Sequence, residues 1–233
     1  MSMYFTKQSL LLSLINLSLH IMKNILITGA TTGLGLSLKQ HYESQYTVYN
    51  LSRSSNEFVC DLSNKDSIIA CANNIKQQIV FDIIVACAGG EIRSIDTIDR
   101  DTANSEWQIN TLYALLISEL WDEIKAHDTD IVVIGATIYK ANEYMPMYSV
   151  TKRLRLVENR RALKSTKSRV MLISPGLDTE SNIGPNGRET IISQQINKSV
   201  ATMIPTKELA EYIYHTTNLP KIMEVSEIII NRK

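Results

Sequence analysis

Tyr148 and Lys152 stand four residues apart in Tyr148-Ser149-Val150-Thr151-Lys152. Residues at i and i+4 share one face of a helix, so a helix here would hold a phenol beside an ammonium. An ordinary tyrosine has a pKa of about 10, too high for a general base near neutrality. A neighbouring cation favours the phenolate and lowers that value, which makes the pair a candidate general acid/base. A second feature lies far upstream, in Thr28-Gly29-Ala30-Thr31-Thr32-Gly33-Leu34-Gly35. Here Gly29 would permit a tight turn, Gly33 would let backbone approach a pyrophosphate, and Gly35 would let a helix pack closely on a sheet. A helix opening at this loop would offer N–H groups and a positive dipole end to phosphates.

These residues need elements to position them. Short apolar runs at Ile25–Ile27, Thr47–Leu51, Phe58–Cys60, Ile83–Ala86, Ile131–Ile134, Val170–Ile173 and Ile228–Ile230 read as strands. Helical segments fall between them: Leu34–Glu43, Asn64–Gln78 with Asn64 or Ser63 as N-cap, Thr102–Ala126, Tyr148–Ser165 and Thr206–Thr217. The strands are apolar throughout rather than alternating, as strands buried on both faces are. Strand–helix alternation of this kind predicts an α/β fold: one doubly wound parallel sheet of Rossmann type, flanked by helices. Ligands in that architecture bind at the carboxyl ends of strands, where the glycine loop and Tyr148 both fall.

The loop spacing and the Tyr-x-x-x-Lys pair together resemble the short-chain dehydrogenase/reductase family. Further segments are similar in order. Cys60-Asp61-Leu62-Ser63 resembles the family's Asp-Leu pair, whose Asp accepts a hydrogen bond from the adenine amino group; a helix cap is the structural alternative for Asp61. Ala86-Cys87-Ala88-Gly89 resembles the Asn-Asn-Ala-Gly segment, with Ala86 and Cys87 replacing the asparagines. Asn110 falls where the family places an Asn that kinks the long helix and holds a water in a proton relay. Pro175-Gly176-Leu177-Asp178-Thr179 resembles the segment along the nicotinamide. The resemblance implies a cofactor site drawn from Gly29, Thr31, Gly33, Leu34, Arg53, Asp61, Leu62, Ala88, Gly89, Pro175, Gly176 and Thr179, together with Tyr148 and Lys152. Among these, Arg53 carries a reading of its own. An NAD-selective site places an acid after the second strand, whereas this chain has Arg53 between Ser52 and Ser54, a set that suits a 2′-phosphate. NADP(H) is therefore expected over NAD(H).

By the same resemblance the reaction is hydride transfer between nicotinamide and a small-molecule carbonyl or alcohol. Tyr148 is its acid/base, Lys152 serves both the phenol and the ribose, and Asn110 supports the relay. The chain departs from the family at the fifth strand. In Ile134-Gly135-Ala136-Thr137 the family's catalytic Ser position falls on Ala136, and Thr137, one residue later, is the candidate replacement. The rival reading is a catalytically impaired dinucleotide-binding sensor or scaffold. A nucleotide-sugar epimerase or dehydratase shares Tyr-x-x-x-Lys, but usually needs a larger C-terminal domain than the stretch after the sixth strand.

Bulk properties agree with one ordinary globular domain. The 233 residues carry 24 Lys+Arg against 24 Asp+Glu, a formal net charge of zero that favours neither nucleic acid nor an anionic membrane. The basic run through Arg153, Arg155, Arg160, Arg161, Lys164 and Lys167 reads as a solvated helix face. Three cysteines, Cys60, Cys71 and Cys87, and four scattered histidines have no metal-ligand spacing, so no metal site is expected. A reducing cytoplasm fits this usage. Residues 1–21 include the apolar stretch Ser9–Ile21, far short of the roughly 20 apolar residues a membrane span needs. They are expected to be an extension outside the core, with residues 22–233 forming the single domain. The resemblance implies a homo-oligomer, dimer or tetramer.

Overall fold

The computed structural model describes residues 22–89, 100–135, 168–175, 204–220, 223 and 227–230. In the helix opening at Arg100, side chains are described from Gln108 onward, Asn110 and Thr111 excepted. In chain order the elements are β1 (Lys23–Thr28), α1 (Gly33–Tyr42), β2 (Tyr46–Ser52), β3 (Phe58–Val59), α2 (Lys65–Gln78) and β4 (Ile83–Ala86). They continue with α3 (Arg100–Glu119), α4 (Trp121–His127), β5 (Asp130–Ile134), β6 (Val170–Pro175), α5 (Thr206–Thr217) and β7 (Glu227–Ile230).

Among the described residues the strands form one seven-stranded sheet in the order β3-β2-β1-β4-β5-β6-β7. Every pairing is parallel, with Thr28 opposite Leu51 on one side and Ala86 on the other. The chain winds outward from β1 to β3, then returns past β1 to begin the other half at β4. That reversal places a topological switch point, where such folds bind ligands, between the carboxyl ends of β1 and β4.

Alternate residues of each strand feed two separate cores. Leu26, Val133 and Leu172 point to the face covered by α2, α3 and α4, where they meet Ile68, Tyr113 and Leu116. Ile27, Val132 and Ile173 point to the opposite face, where they meet Leu38 of α1 and Leu209 and Ile213 of α5. Each such fully buried aliphatic side chain contributes about 1.5–3 kcal/mol of transfer free energy. Two cores explain why the strands read as unbroken apolar runs.

The expected elements that fall on described residues lie where the sequence places them, with three adjustments, and the helix expected over Tyr148–Ser165 lies outside the described residues. The third strand ends at Val59 and leaves Cys60 outside it. The N-cap of α2 is Asn64, whose side chain accepts from the Ser67 N–H at 3.0 Å. The long helix expected over Thr102–Ala126 is two helices, because Leu120 leaves helical geometry at φ −92°, ψ 9°. Leu116, Leu120 and Ile124 are all buried in one core, so the apolar period runs through the break. Hydrophobic periodicity therefore could not reveal it.

Candidate functional site

The glycine loop leaves β1 at the switch point and is held there by neutral hydrogen bonds. Thr28 is fully buried, and its Oγ1 accepts the N–H of Cys87 at 3.1 Å and of Ala88 at 3.0 Å. This ties the end of β1 to the segment after β4. Gly29 turns the chain with φ +73° and donates its N–H to the Leu51 carbonyl at 2.8 Å. A side chain there would be strained by that φ, and its Cβ would meet the Ala88 Cα at 3.0 Å. The next N–H, of Ala30, is taken by Asn50 Oδ1 at 3.0 Å.

Helix α1 then starts at Gly33, with Thr32 as an extended N-cap and no acid in its first turn. An acid there would repel an anion that the helix N-terminus otherwise attracts. Gly35 has the role of close approach expected of it, but toward a different partner. A Cβ at Gly35 would lie 2.1 Å from the Gly29 carbonyl oxygen, so the helix packs on the loop's own backbone rather than on the sheet. Thr31 and Leu34 both belong to this turn, the first exposed and the second buried in the α1 core.

The ends of β2 and β3 lie beside it. Arg53 is exposed just after β2, and Ser52 is half-buried at the strand's last position. Ser55 shapes the loop that carries Arg53: its Oγ lies 2.7 Å from the Asn50 carbonyl and accepts the N–H groups of Glu57 and Phe58. Asp61 is not the cap of α2. Its Oδ1 accepts the backbone N–H of Ser63 at 2.9 Å and the Ser63 hydroxyl at 2.6 Å, an Asx turn one step ahead of the true cap. These two bonds, and then the Arg53 guanidinium, hold the Asp61 carboxyl below the usual carboxylate range. Leu62 is buried beside it.

Beyond β4, Cys87 is half-buried against the α1 core and Gly89 is exposed. The backbone of α3 runs helical through Asn110, and the interruption comes ten residues later, at Leu120. At the end of β5, a Cβ on Gly135 would lie 2.8 Å from Ser174 Oγ. That fully buried hydroxyl has no hydrogen-bond partner among the described residues. Pro175 closes β6, level with Ile230. Ala136, Thr137, Tyr148, Lys152, Gly176 and Thr179 lie outside the described residues.

Thr28, Asn50 and Ser55 were not singled out from the sequence. Asn50 did leave a signal, as a lone amide in the strand run Val48-Tyr49-Asn50-Leu51.

The winding order and the loop at the switch point define a doubly wound α/β fold of Rossmann type. More specifically, it is the fold of the short-chain dehydrogenases and reductases. The alcohol dehydrogenase of the archaeon Thermococcus sibiricus, complexed with 5-hydroxy-NADP, superposes with a TM-score of 0.76 at 18% identity, over 91% of this chain and 97% of that one. A 4-hydroxyisoleucine dehydrogenase complexed with NADH gives 0.73 at 20% identity, over 89% and 96%. A short-chain dehydrogenase family protein from Francisella tularensis subsp. tularensis SCHU S4 gives 0.72 at 21% identity, over 90% and 97%. No protein-family model and no curated protein matches the chain by sequence. Among the described residues, no helix is long and apolar enough to cross a membrane.

Proposed function

We propose that this chain is an NADP(H)-dependent oxidoreductase of the short-chain dehydrogenase/reductase type, acting on a small-molecule carbonyl or alcohol. The observation that carries the reading is the glycine loop at the switch point. Its left-handed Gly29 and its Gly35, at both of which a Cβ would collide with neighbouring protein atoms, keep the turn tight, and its helix starts without an acid. Those features fit the pyrophosphate of a dinucleotide. Arg53 and Ser52 fit a 2′-phosphate, and Asp61, kept ionised, fits an acceptor for an adenine amino group. The solved structures sharing this fold include complexes with 5-hydroxy-NADP and with NADH, so the preference for NADP(H) rests on Arg53.

When bound, the nicotinamide supplies or accepts the hydride. The chain's own groups orient the substrate and move the proton. Tyr148 donates its phenolic proton to the carbonyl oxygen during reduction and takes it back during oxidation. The Lys152 ammonium, four residues on, favours the phenolate and holds the ribose. Asn110 supports the relay that returns the proton, and Thr137 supplies the substrate-orienting hydroxyl absent at Ala136. Residues 22–233 form the domain, residues 1–21 are an extension to it, and the working unit is a homo-oligomer of the cytoplasm.

The test is a screen of carbonyl compounds with NADPH, following cofactor absorbance. Tyr148→Phe is expected to cut turnover by about 10²–10⁴-fold, the usual cost of a positioned general acid, with cofactor affinity nearly intact. Turnover that survives this substitution would remove Tyr148 from the mechanism. Ala136 favours a second reading, a cofactor-binding sensor that has lost turnover. It would be supported if the native chain is inert and Ala136→Ser creates activity.

A further inference from the structure

We infer that Asn50 sets the preference for a 2′-phosphorylated cofactor, as a positioning residue that acts through Ser52 without touching the nucleotide. The inference rests on the proposed function and deepens it. Asn50 is 5% exposed, in the middle of an otherwise apolar strand stretch. Burial of an amide is costly unless its groups are paired, so its partners matter. Its oxygen accepts the Ala30 N–H, and because a backbone N–H can only donate, this fixes which end of the amide faces the glycine loop. The NH₂ end therefore faces the other way, where it donates to Ser52 Oγ at 3.4 Å. A hydroxyl that accepts on one side keeps its own proton for a second partner. Ser52 is thereby set as a donor at the carboxyl end of β2, next to Arg53, at the strand end where NAD-selective sites place an acid.

The backbone of the same residue holds the other side of that space. Its carbonyl lies 2.7 Å from Ser55 Oγ, and Ser55 organises the turn that carries Arg53 and Ser54. One buried residue thus joins the pyrophosphate loop to the loop bearing the candidate 2′-phosphate ligands. Residues 50 and 52 point to the same face of the strand, which is why the contact is possible at all.

Asn50→Asp separates the two duties of the side chain. A carboxylate still accepts the Ala30 N–H, so the glycine loop keeps its anchor. It no longer donates to Ser52, and it draws the Ser52 proton inward. Titration of the purified full chain with NADPH and NADH, by fluorescence, is the experiment. The NADPH-to-NADH affinity ratio is expected to fall by about tenfold or more, the size of one hydrogen bond to a charged group, while NADH affinity stays within about threefold. Ser52→Ala should lower the ratio in the same direction. In the Ser52→Ala background, Asn50→Asp should then cost clearly less than it does alone, as coupled residues do. An equal loss in both backgrounds would assign the effect to bulk charge and overturn the inference. So would a ratio unchanged in both single variants. If Asn50→Asp shows no cooperative thermal unfolding, Ser52→Ala decides alone, an unchanged ratio overturning the inference. A native chain that binds the two cofactors equally, or neither, overturns the NADP(H) reading itself, and this inference with it.

Discussion

Among the described residues, buried polar groups at the two ends of the sheet are used differently. At the carboxyl ends of β1 and β2, Thr28 and Asn50 pin loops through neutral bonds, and Ser55 Oγ lies 2.7 Å from both the Asn50 carbonyl and the Glu57 carboxylate. Close by, Ser52 stays half-buried and Arg53 exposed. At the amino ends of β5 and β6, Asp130 and Arg169 form an ion pair at 2.6 Å, with side chains only 3% and 10% exposed. The Arg169 guanidinium donates twice to Asp130 and three times to the carbonyls of Thr217, the last residue of α5, and of Leu219 and Pro220 just beyond it. A guanidinium has five N–H donors, so none remains for a ligand. Tyr42 and Tyr46 add bonds of 2.6 Å to Thr217 and Asn218 at the same helix end, and burial raises the Tyr42 phenol pKa far above its ordinary value. One end of the sheet has its polar capacity closed on itself and serves stability. The other keeps capacity open, as the proposed cofactor site requires.

The comparison can be broken from either side. The largest effect is expected at the closed end. Arg169→Ala takes the guanidinium away from the buried Asp130 carboxylate, leaving the residue-169 N–H on Oδ1, and should cost about 3–5 kcal/mol, read from the urea midpoint by circular dichroism. NADPH affinity of the molecules still folded should be unchanged. A normal midpoint, or selective loss of cofactor binding, would erase the distinction between the two ends. Next comes Gly35→Ala, where the new Cβ would sit 2.1 Å from the Gly29 carbonyl oxygen. Overpacking of this kind costs about 1–3 kcal/mol, and here the loop must move to relieve it. Binding of NADPH and NADH should fall together, in contrast with Arg169→Ala; intact binding of both would show that the loop is not the cradle.

Smaller effects sharpen the contrast. Arg53→Ala removes an exposed charge, so stability should change by less than about 0.5 kcal/mol. NADPH affinity should nevertheless fall by about tenfold, with NADH unaffected, since one charge-assisted contact is lost. Equal NADPH affinity in the variant would end the case for a 2′-phosphate site. The smallest effect concerns Asp61. Its folded pKa lies below the ordinary value because Ser63 and then Arg53 favour the carboxylate. Its contribution to stability is therefore present above the unfolded pKa of about 3.9 and lost as pH falls through the folded value. Asp61→Asn should flatten the decline of the urea midpoint in that acid range by lowering the midpoint slightly near neutrality and leaving it almost unchanged in acid. A decline identical to that of the native chain would show that the Ser63 turn contributes nothing.

Much of this was legible in the residue order. Fully apolar strands alternating with amphipathic helices identify a parallel sheet covered on both faces, because only such strands need no polar side. Gly29 and Gly35 announced a turn and a close approach, since no other residue tolerates either. Asn64 announced a helix start. Other features left no local mark. The break at Leu120 keeps the apolar period on both sides, so the sequence reads as one helix where there are two. Asp61 and Asn64 are both plausible caps by type, and only the geometry of the turn assigns the cap to Asn64 and the Asx turn to Asp61.

By itself, then, the sequence determined the class of fold, the placement of the glycine loop and of Arg53 at strand ends, and the four-residue spacing of Tyr148 and Lys152. These are properties of spacing and residue type, which survive any arrangement of the rest. Tertiary structure alone decided which polar residues work together. Asn50 meets Ala30 across 20 residues, Thr28 meets Ala88 across 60, and Tyr42 meets Thr217 across 175. Such bonds depend on which strands become neighbours in the sheet, and that order follows from how two cores close on both faces at once rather than from any single segment.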